Sequence, residues 1–361
     1  MEKSRIKILF GTLGPNIHGG ISQVSPYLEG QLRKRVMIKT FIFGRRSNSE
    51  RLLDKIIGRF ADLIKLTMSI QGLLPDIVHH NTAFDRKSII RDVPLVFMVK
   101  ACRIPLFMMI HGSHRDSFVK RGPLTEALRS YVINNVSCLG VLSEMERKDF
   151  CDKWPKLQDK VAVVKNIIRP EFFSIERKEN DHPKVLFISR FIKEKGLFDL
   201  LEALPAVLGE YPDTLFVFVG SGPDGTEFDS LVRKYGLESR IKHFEHIDNM
   251  ETRGHYSRSW CLVFPTRYPE GMPMVVAEAM AAGCPVVTTR TRFSLSYMEE
   301  NKNCIYVETG NPVSIAQGII RLLRDRALRD DISRNNRALA EKFTADFVVG
   351  EFMDIYKLLT K

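Results

Sequence analysis

Short apolar runs alternate with helix-forming segments along almost the whole 361-residue chain. Runs such as 106–110, 215–219 and 261–264 are apolar at every position instead of at alternate positions. A strand with one face in water would alternate, so these runs predict parallel strands that helices cover on both faces. The segments between them, for example 123–135 and 274–282, are rich in helix formers. The pattern predicts an α/β fold.

The chain is too long for one core of ordinary size, and the alternation begins a second time near residue 184. Residues 169–183 are polar and interrupted by prolines, which is typical of a linker. We therefore predict two Rossmann-like, doubly wound domains that face each other across a cleft, the first over 1–168 and the second over 184–343. Ligands of such sheets bind beyond the carboxyl ends of the strands.

Two glutamates with the spacing Glu-x7-Glu stand around a predicted helix start in the second half. Glu270 follows the apolar run 261–265 on a loop that contains glycine and proline, and Glu278 lies on the helix predicted over 274–282. Carboxylates accept hydrogen bonds from hydroxyl groups, and the free N–H groups of a helix N-terminus attract phosphate. This stretch therefore predicts a site for an anionic ligand with many hydroxyl groups.

Other candidate residues also follow predicted strands. Arg190 and Lys195 precede a helix, and two cations beside a helix N-terminus suit a diphosphate. His111 ends a strand, where it could bind a sugar hydroxyl or move a proton. Gly19 and Gly20 lie in a strand-to-helix loop, which lets backbone N–H groups approach a phosphate closely. Each of these residues alone is more often structural or solvated, so the prediction depends on their joint position at strand ends.

Residues 220–225 match G-x-G-x-x-G after a strand, which leaves a nicotinamide dinucleotide enzyme as an alternative. The motif follows the second strand of its half instead of the first. Pro223 also lacks an N–H group that a pyrophosphate would use. We therefore prefer a different ligand for this half.

The excess positive charge is confined to the first half. Residues 1–180 carry 31 Lys and Arg against 18 Asp and Glu, whereas residues 181–361 carry 23 against 25. This asymmetry predicts an anionic partner: a membrane surface, a phosphate-bearing substrate or nucleic acid. The longest apolar stretch, 93–110, is interrupted by charges, and we interpret it as a helix and a buried strand, with a membrane-dipping segment as the alternative. The N-terminus does not resemble a signal peptide.

The six cysteines are scattered and none forms a C-x-x-C pair, so the sequence predicts buried thiols in a reducing compartment. The chain contains no D-x-D sequence, so a metal-bridged diphosphate is not expected. Arg190, Lys195 and helix N-termini would have to balance the charge of a diphosphate instead.

Three stretches of the second half, 189–196, 219–223 and 270–287, resemble the retaining GT-B glycosyltransferases of family four. The Gly19–Gly20 loop, residues 75–79 and His111–Gly112 look like the first half of that family. The resemblance implies a nucleotide-sugar donor held mainly by the second domain, with uridine favoured over guanosine and without a metal. It also implies that the last helix, near 344–361, packs back on the first domain.

The resemblance gives each candidate residue a role. Arg190 and Lys195 would bind the diphosphate, Glu278 the ribose hydroxyls and Glu270 the sugar hydroxyls, while His111 would lie near the reacting sugar. His111 and Glu270 are thus the expected catalytic residues. The remaining donor contacts would be Gly220, Gly271, Met272 and Pro273, and Gly19 and Gly20 would approach the acceptor or a phosphate.

The expected function is transfer of a sugar to a glycan or lipid-linked acceptor with retention of configuration, in the synthesis of surface polysaccharide or lipopolysaccharide. We expect a cytoplasmic enzyme, peripheral on the inner face of the cell membrane, with no nucleic-acid partner. The alternatives are a non-catalytic nucleotide-sugar-binding protein and an NAD-dependent enzyme.

Overall fold

The computed structural model describes residues 5–14, 20–44, 52–112, 122–268 and 270–361. The chain forms two compact units. One comprises the residues up to Ile167 together with Ala345–Lys361, and the other comprises Ile168–Thr344. The C-terminal segment is thus part of the first unit.

The strands are β1 (Lys7–Thr12), β2 (Met37–Ile42), β3 (Ile77–Thr82), β4 (Leu106–Ile110), β5 (Cys138–Val141), β6 (Val161–Val163), β7 (Lys184–Ile188), β8 (Leu215–Val219), β9 (Ile241–Phe244), β10 (Cys261–Phe264), β11 (Val286–Thr288) and β12 (Ile305–Tyr306). The helices are α1 (Gly20–Leu32), α2 (Leu52–Leu73), α3 (Arg86–Ala101), α4 (Pro123–Asn135), α5 (Glu144–Lys153), α6 (Leu197–Glu210), α7 (Gly225–Lys234), α8 (Asn249–Arg258), α9 (Met274–Ala281), α10 (Arg292–Tyr297), α11 (Pro312–Arg324), α12 (Arg326–Ala340) and α13 (Ala345–Leu359).

The first unit contains a parallel six-stranded sheet in the order β2-β1-β3-β4-β5-β6. Both faces of its central strands are covered, as the continuously apolar runs predict. Val78 and Met108 belong to the core with residues of α2, α3, α4 and α5. On the opposite face, Phe107 and His79 pack against Phe352 of α13.

The second unit contains another parallel six-stranded sheet, in the order β12-β11-β10-β7-β8-β9. Strand β7 lies between β10 and β8, so the carboxyl ends of these three strands are neighbours. The described parts of the loops that follow them (189–196, 220–224, 265–268 and 270–273) therefore meet at one edge of the sheet. The predicted α/β class with two Rossmann-like domains of parallel strands is confirmed.

The structure differs from the sequence interpretation at residues 169–183. This segment packs on the second unit and does not form an open linker. Phe172 and Ile175 are buried, and the guanidinium of Arg177 donates to the carbonyl oxygens of Tyr256 and Ser259 at 2.7 and 2.6 Å. Two apolar side chains within a polar stretch are enough to fix it against the neighbouring core.

The interpretation of 93–110 is confirmed, because α3 ends at Ala101 and the buried strand β4 follows it. Among the described residues, the helices are all too short or too polar to cross a bilayer. Ser143 caps the N-terminus of α5, but a reciprocal capping box with Glu146 does not form. Ser143 accepts from the N–H of Glu146, whereas the carboxylate of Glu146 accepts from the N–H of Leu142 and not from that of Ser143.

Candidate active site

In the second unit, the loop after β7 comes into close contact with the loop after β10. Gly196 has a φ of 75°, and a Cβ atom there would lie 2.2 Å from the carbonyl oxygen of Pro265. Only glycine fits both conditions without strain. The N–H of Arg267 also donates to the carbonyl of Glu194 at 2.7 Å. This contact brings Lys195, which precedes Gly196, close to the residues that follow Pro265.

Lys195 and Glu270 form an ion pair across this contact, between the Nζ atom and the Oε1 atom. Their side chains are 20% and 17% exposed, so water screens the pair less than a surface pair. The ammonium group also lies 5.2 Å from the ring centre of Tyr268. Because an ammonium group has three donors, Lys195 can bind Glu270 and still donate to an anionic ligand.

Arg190 supplies a second cation at the same edge. It follows β7 and is exposed, and no acidic partner pairs with it within the described ranges. Burial raises the pKa of Tyr268, and the charge of Arg190 opposes this rise, so Arg190 lies near the same loop. An unpaired guanidinium suits a phosphate.

Gly271, Met272 and Pro273 lead into the N-terminus of α9 and are all buried. Pro273 occupies the N-cap position, and its carbonyl accepts from the N–H groups of Val276 and Ala277. In the described part of the chain, the N–H groups of Met274 and Val275 have no hydrogen-bond acceptor. A helix start with free N–H groups favours an anion.

Glu278 lies farther along α9, and the hydroxyl of Tyr256 donates to its Oε2 atom at 3.2 Å. Burial raises the pKa of Glu278 to about 7, although the bond from Tyr256 favours the charged form. The carboxyl group is therefore partly protonated at neutral pH. It can both accept and donate hydrogen bonds, as the hydroxyl groups of a ribose require.

Gly220, a predicted donor contact, packs the loop after β8 against the loop after β7. Its N–H donates to the carbonyl of Phe244 at 2.8 Å, so this donor is already used. A Cβ atom at this position would lie 1.8 Å from the carbonyl oxygen of Ser189. The structure thus gives Gly220 a packing role, and a direct contact with a donor stays a prediction.

Two more N–H groups of the G-x-G-x-x-G segment are already used in hydrogen bonds within the protein. The N–H of Asp224 donates to Phe191, the N–H of Gly225 donates to Gly222, and the Asp224 carboxylate accepts from the N–H of Lys193 at 2.6 Å. A dinucleotide fingerprint needs such N–H groups for the pyrophosphate. These contacts count against the nicotinamide alternative.

In the first unit, His111 follows β4 and contacts Asn81 at the end of β3. The Nδ2 group of Asn81 donates to the carbonyl of Gly11 at 2.9 Å, which turns its Oδ1 atom towards the Nε2 atom of His111 at 2.7 Å. Since an amide oxygen only accepts, Nε2 carries the hydrogen and Nδ1 carries a lone pair. Nδ1 is buried and has no hydrogen-bond partner in the ranges described.

Burial lowers the pKa of His111 to about 4, so the ring is neutral at physiological pH. It presents an acceptor for a hydroxyl group and does not serve as a proton donor there. The sequence did not single out Asn81. The available signal was a polar residue at the end of the apolar run of β3.

The remaining predicted residues have simpler outcomes. Gly19 lies outside the described residues, and Gly20 is the first residue of α1. His79 and His80 are buried and bonded to Tyr356 and Asp92, so both have a structural role. The described residues contain no group of three His, Cys, Asp or Glu side chains suited to a metal ion.

Comparison with known proteins is consistent with this geometry. Residues 168–339 match the family model of the glycosyl transferases group 1. An uncharacterised glycosyltransferase of Methanocaldococcus jannaschii is 28% identical over 276 residues, which is 71% of this chain and 70% of that protein. The capsular polysaccharide biosynthesis glycosyltransferase CapM of Staphylococcus aureus is 24% identical over 184 residues, 50% of this chain and 48% of CapM.

Solved structures share the fold over nearly the whole chain. The sucrose-phosphate synthase of Thermosynechococcus elongatus superposes with a TM-score of 0.77 at 18% identity, covering 98% of this chain and 99% of that one. The structure of Anabaena HepE in complex with UDP and glucose gives a TM-score of 0.75 at 17% identity, covering 98% and 99%. At such identities, the likeness establishes the two-domain fold called GT-B.

Proposed function

We propose that this chain, a glycosyltransferase with a group 1 domain over residues 168–339, moves a sugar from a nucleotide-sugar donor to a glycan or lipid-linked acceptor with retention of configuration. The observation that carries the proposal is the Lys195–Glu270 pair beside the open N-terminus of α9. The acceptor belongs to a surface polysaccharide or lipopolysaccharide, and the name of the CapM relative supports the polysaccharide.

The diphosphate of the donor binds Arg190, Lys195 and the free N–H groups of α9. As the bond to the sugar breaks, negative charge grows on the departing diphosphate, and these groups stabilise the transition state more than the ground state. This arrangement needs no metal ion. Glu270 accepts hydrogen bonds from the sugar hydroxyls, and Glu278 binds the ribose. A uridine donor is favoured because HepE was solved with UDP.

His111 acts as a neutral hydrogen-bond acceptor for a hydroxyl group of the reacting sugar. Its low pKa makes it a poor proton donor at neutral pH. Retention then follows from attack on the face that the diphosphate leaves. The departing phosphate takes the proton of the acceptor hydroxyl, and no side chain is assigned as a nucleophile.

The first unit contacts the cytoplasmic face of the membrane. It carries 30 Lys and Arg against 18 Asp and Glu, whereas the second unit carries 24 against 25. Lys and Arg near a surface of anionic lipid each contribute about 1 kcal/mol of binding. Binding of this kind should weaken as salt is added, because exposed charges are screened.

The test measures release of UDP from UDP-sugars with candidate acceptors. Glu270→Ala should reduce turnover by about 10²-fold or more, and Arg190→Ala should weaken nucleotide binding by about tenfold. Glu238→Ala, an exposed loop substitution, is the matched control. Unchanged turnover in Glu270→Ala together with unchanged affinity in Arg190→Ala would refute the proposal.

The two alternatives give different results. A non-catalytic binding protein would bind a nucleotide sugar without releasing nucleotide, and an NAD-dependent enzyme would bind NAD(P)H. A thermal-shift screen against uridine, guanosine and adenosine diphosphate sugars identifies the donor, because a bound ligand raises the apparent stability by mass action.

A further inference from the structure

The outer side of the helices over the first sheet carries a row of exposed apolar side chains. Phe60, Ile64 and Met68 are spaced by four residues on α2, and Ile90 and Phe97 are spaced by seven on α3. Both spacings put the side chains on one side of a helix. These five residues, here called the apolar face, are between 57% and 67% exposed.

A groove of about 510 Å³ lies between α2, α3 and α4 at this surface. Leu63 of α2, Met98 of α3 and Tyr131 of α4 line it, and Phe97 of the apolar face lines it too. Leu63 is adjacent to Ile64 on α2, so the groove joins the two rows of the apolar face. Soluble monomers rarely expose a continuous apolar surface of this kind without a binding role.

Exposed basic side chains lie within one helical turn of residues of the apolar face. Lys65 is exposed on α2, Arg86 and Lys87 are exposed at the start of α3, and Lys100 is exposed near its end. The described acidic side chains of α2, α3 and α4 are buried or paired and do not balance these basic groups, with the exception of Asp85 at the start of α3.

Asp62 and Asp92 are fully buried, and Glu126 is paired with Arg129 and Lys153. The exception is the exposed Asp85, whose carboxylate is used to cap α3 by accepting from the N–H of Ser88 at 2.7 Å. The surface is therefore apolar in the middle and positive at the rim.

We propose that the apolar face enters the interfacial region of an anionic lipid bilayer, with the basic rim on the headgroups. The proposal rests on the membrane contact proposed above and identifies the surface that makes it. A bilayer offers both an apolar layer and negative charge, which matches the middle and the rim. A second copy of the chain fits less well, because it would bring two positive rims together.

The experiment measures co-sedimentation of the full chain with vesicles of phosphatidylcholine, alone or mixed with phosphatidylglycerol. The variant Phe60→Ser/Ile64→Ser should lower partitioning into mixed vesicles by about tenfold or more, since two apolar side chains leave the interface. Met250→Ser and Val313→Ser, on second-unit residues that are 75% and 65% exposed, are the controls and should bind like the unchanged chain.

Two further variants, with one control, test the basic rim and the apolar face separately. Lys65→Ala/Lys87→Ala should reduce binding to the mixed vesicles by about 10–30-fold and make the remaining binding less sensitive to salt. Phe97→Trp should show a blue-shifted fluorescence increase with mixed vesicles. Phe347→Trp, at a residue of α13 that is 48% exposed, should not.

The proposal is overturned if the unchanged chain does not bind mixed vesicles, or if Phe60→Ser/Ile64→Ser binds as well as the unchanged chain. It is also overturned if sedimentation velocity shows a dimer that this double variant abolishes. The donor site is tested separately, because the surface variants should bind the donor nucleotide normally. If Glu270→Ala leaves turnover unchanged and Arg190→Ala leaves nucleotide affinity unchanged while the vesicle results hold, the transferase proposal fails and the docking surface stands.

Discussion

Replacing Glu278 by glutamine should make the protein more stable at alkaline pH. The folded pKa of about 7 lies above the ordinary value of 4.5, because burial disfavours the charged form. Between these two values the folded state holds a proton that the unfolded chain releases, so stability falls as pH rises through this window and stays lowered above it. Glutamine carries no charge, and its amide oxygen can still accept the hydrogen bond from Tyr256.

The difference between 4.5 and about 7 corresponds to about 3 kcal/mol at pH 8, as an upper bound because the side chain has some solvent access. At pH 5 the same calculation gives less than about 1 kcal/mol. For a folded unit of this size, 1 kcal/mol shifts Tm by about 2–4 °C. Glu278→Gln should therefore raise Tm by roughly 5–10 °C at pH 8 and by much less at pH 5.

Circular dichroism melting curves at the two pH values test this expectation, with the exposed Glu238→Gln as the control. An equal Tm change at pH 5 and pH 8, or a lower Tm at pH 8, would refute the reasoning. The same variant should bind UDP more weakly if Glu278 holds the ribose. Higher stability with weaker binding would show that the buried carboxylate is retained for the ligand and not for the fold.

Three other substitutions test individual contacts. Asn81→Asp places a carboxylate beside the Nε2–H of His111 and should raise the pKa of His111 from about 4 towards neutrality. Turnover should then fall more between pH 8 and pH 6 than in the unchanged enzyme. An unchanged pH profile would argue against the assigned contact. Gly196→Ala should lower the free energy of unfolding by about 1–3 kcal/mol, and by more than Gly236→Ala does. Both glycines have a positive φ, but only a Cβ atom at Gly196 would meet a carbonyl oxygen. Equal Tm losses in the two variants would contradict this. Asp92→Asn should lower the free energy of unfolding in urea at pH 7 by about 3–5 kcal/mol, because it leaves Arg91 and His80 without their buried carboxylate partner; a loss under 1 kcal/mol would be inconsistent with a buried ion pair.

Much of the fold follows from local sequence patterns. Helix α4 begins and ends at the residues predicted from its composition, Pro123 and Asn135, since a proline suits the first helical position. Helix-forming residues continue from 21 to 35, but α1 ends at Leu32, and the three residues that follow it are all charged and exposed. Such boundaries depend on the last turn, where few contacts decide whether a helix continues.

The segment 169–183 shows where local patterns fail. Its charges and prolines predict a linker, but Phe172 and Ile175 find a core that forms from residues far along the chain. The same is true of Gly220. Its position after a strand predicts contact with a ligand, whereas its close approach to Ser189 depends on the pairing of β7 with β8.

The sequence by itself determined the order of strands and helices and put Glu270 and Glu278 at a strand end and on the next helix, because backbone preferences and apolar periodicity act over a few residues. Only the tertiary structure decided that Lys195 meets Glu270, since that contact requires β7 and β10 to be neighbours in the sheet. The burial of Glu278 also depends on the packing of the whole second unit. Burial raises the pKa of Glu278 because it removes water from around the charged carboxylate. The spacing of residues in the sequence does not predict how exposed a side chain is to water.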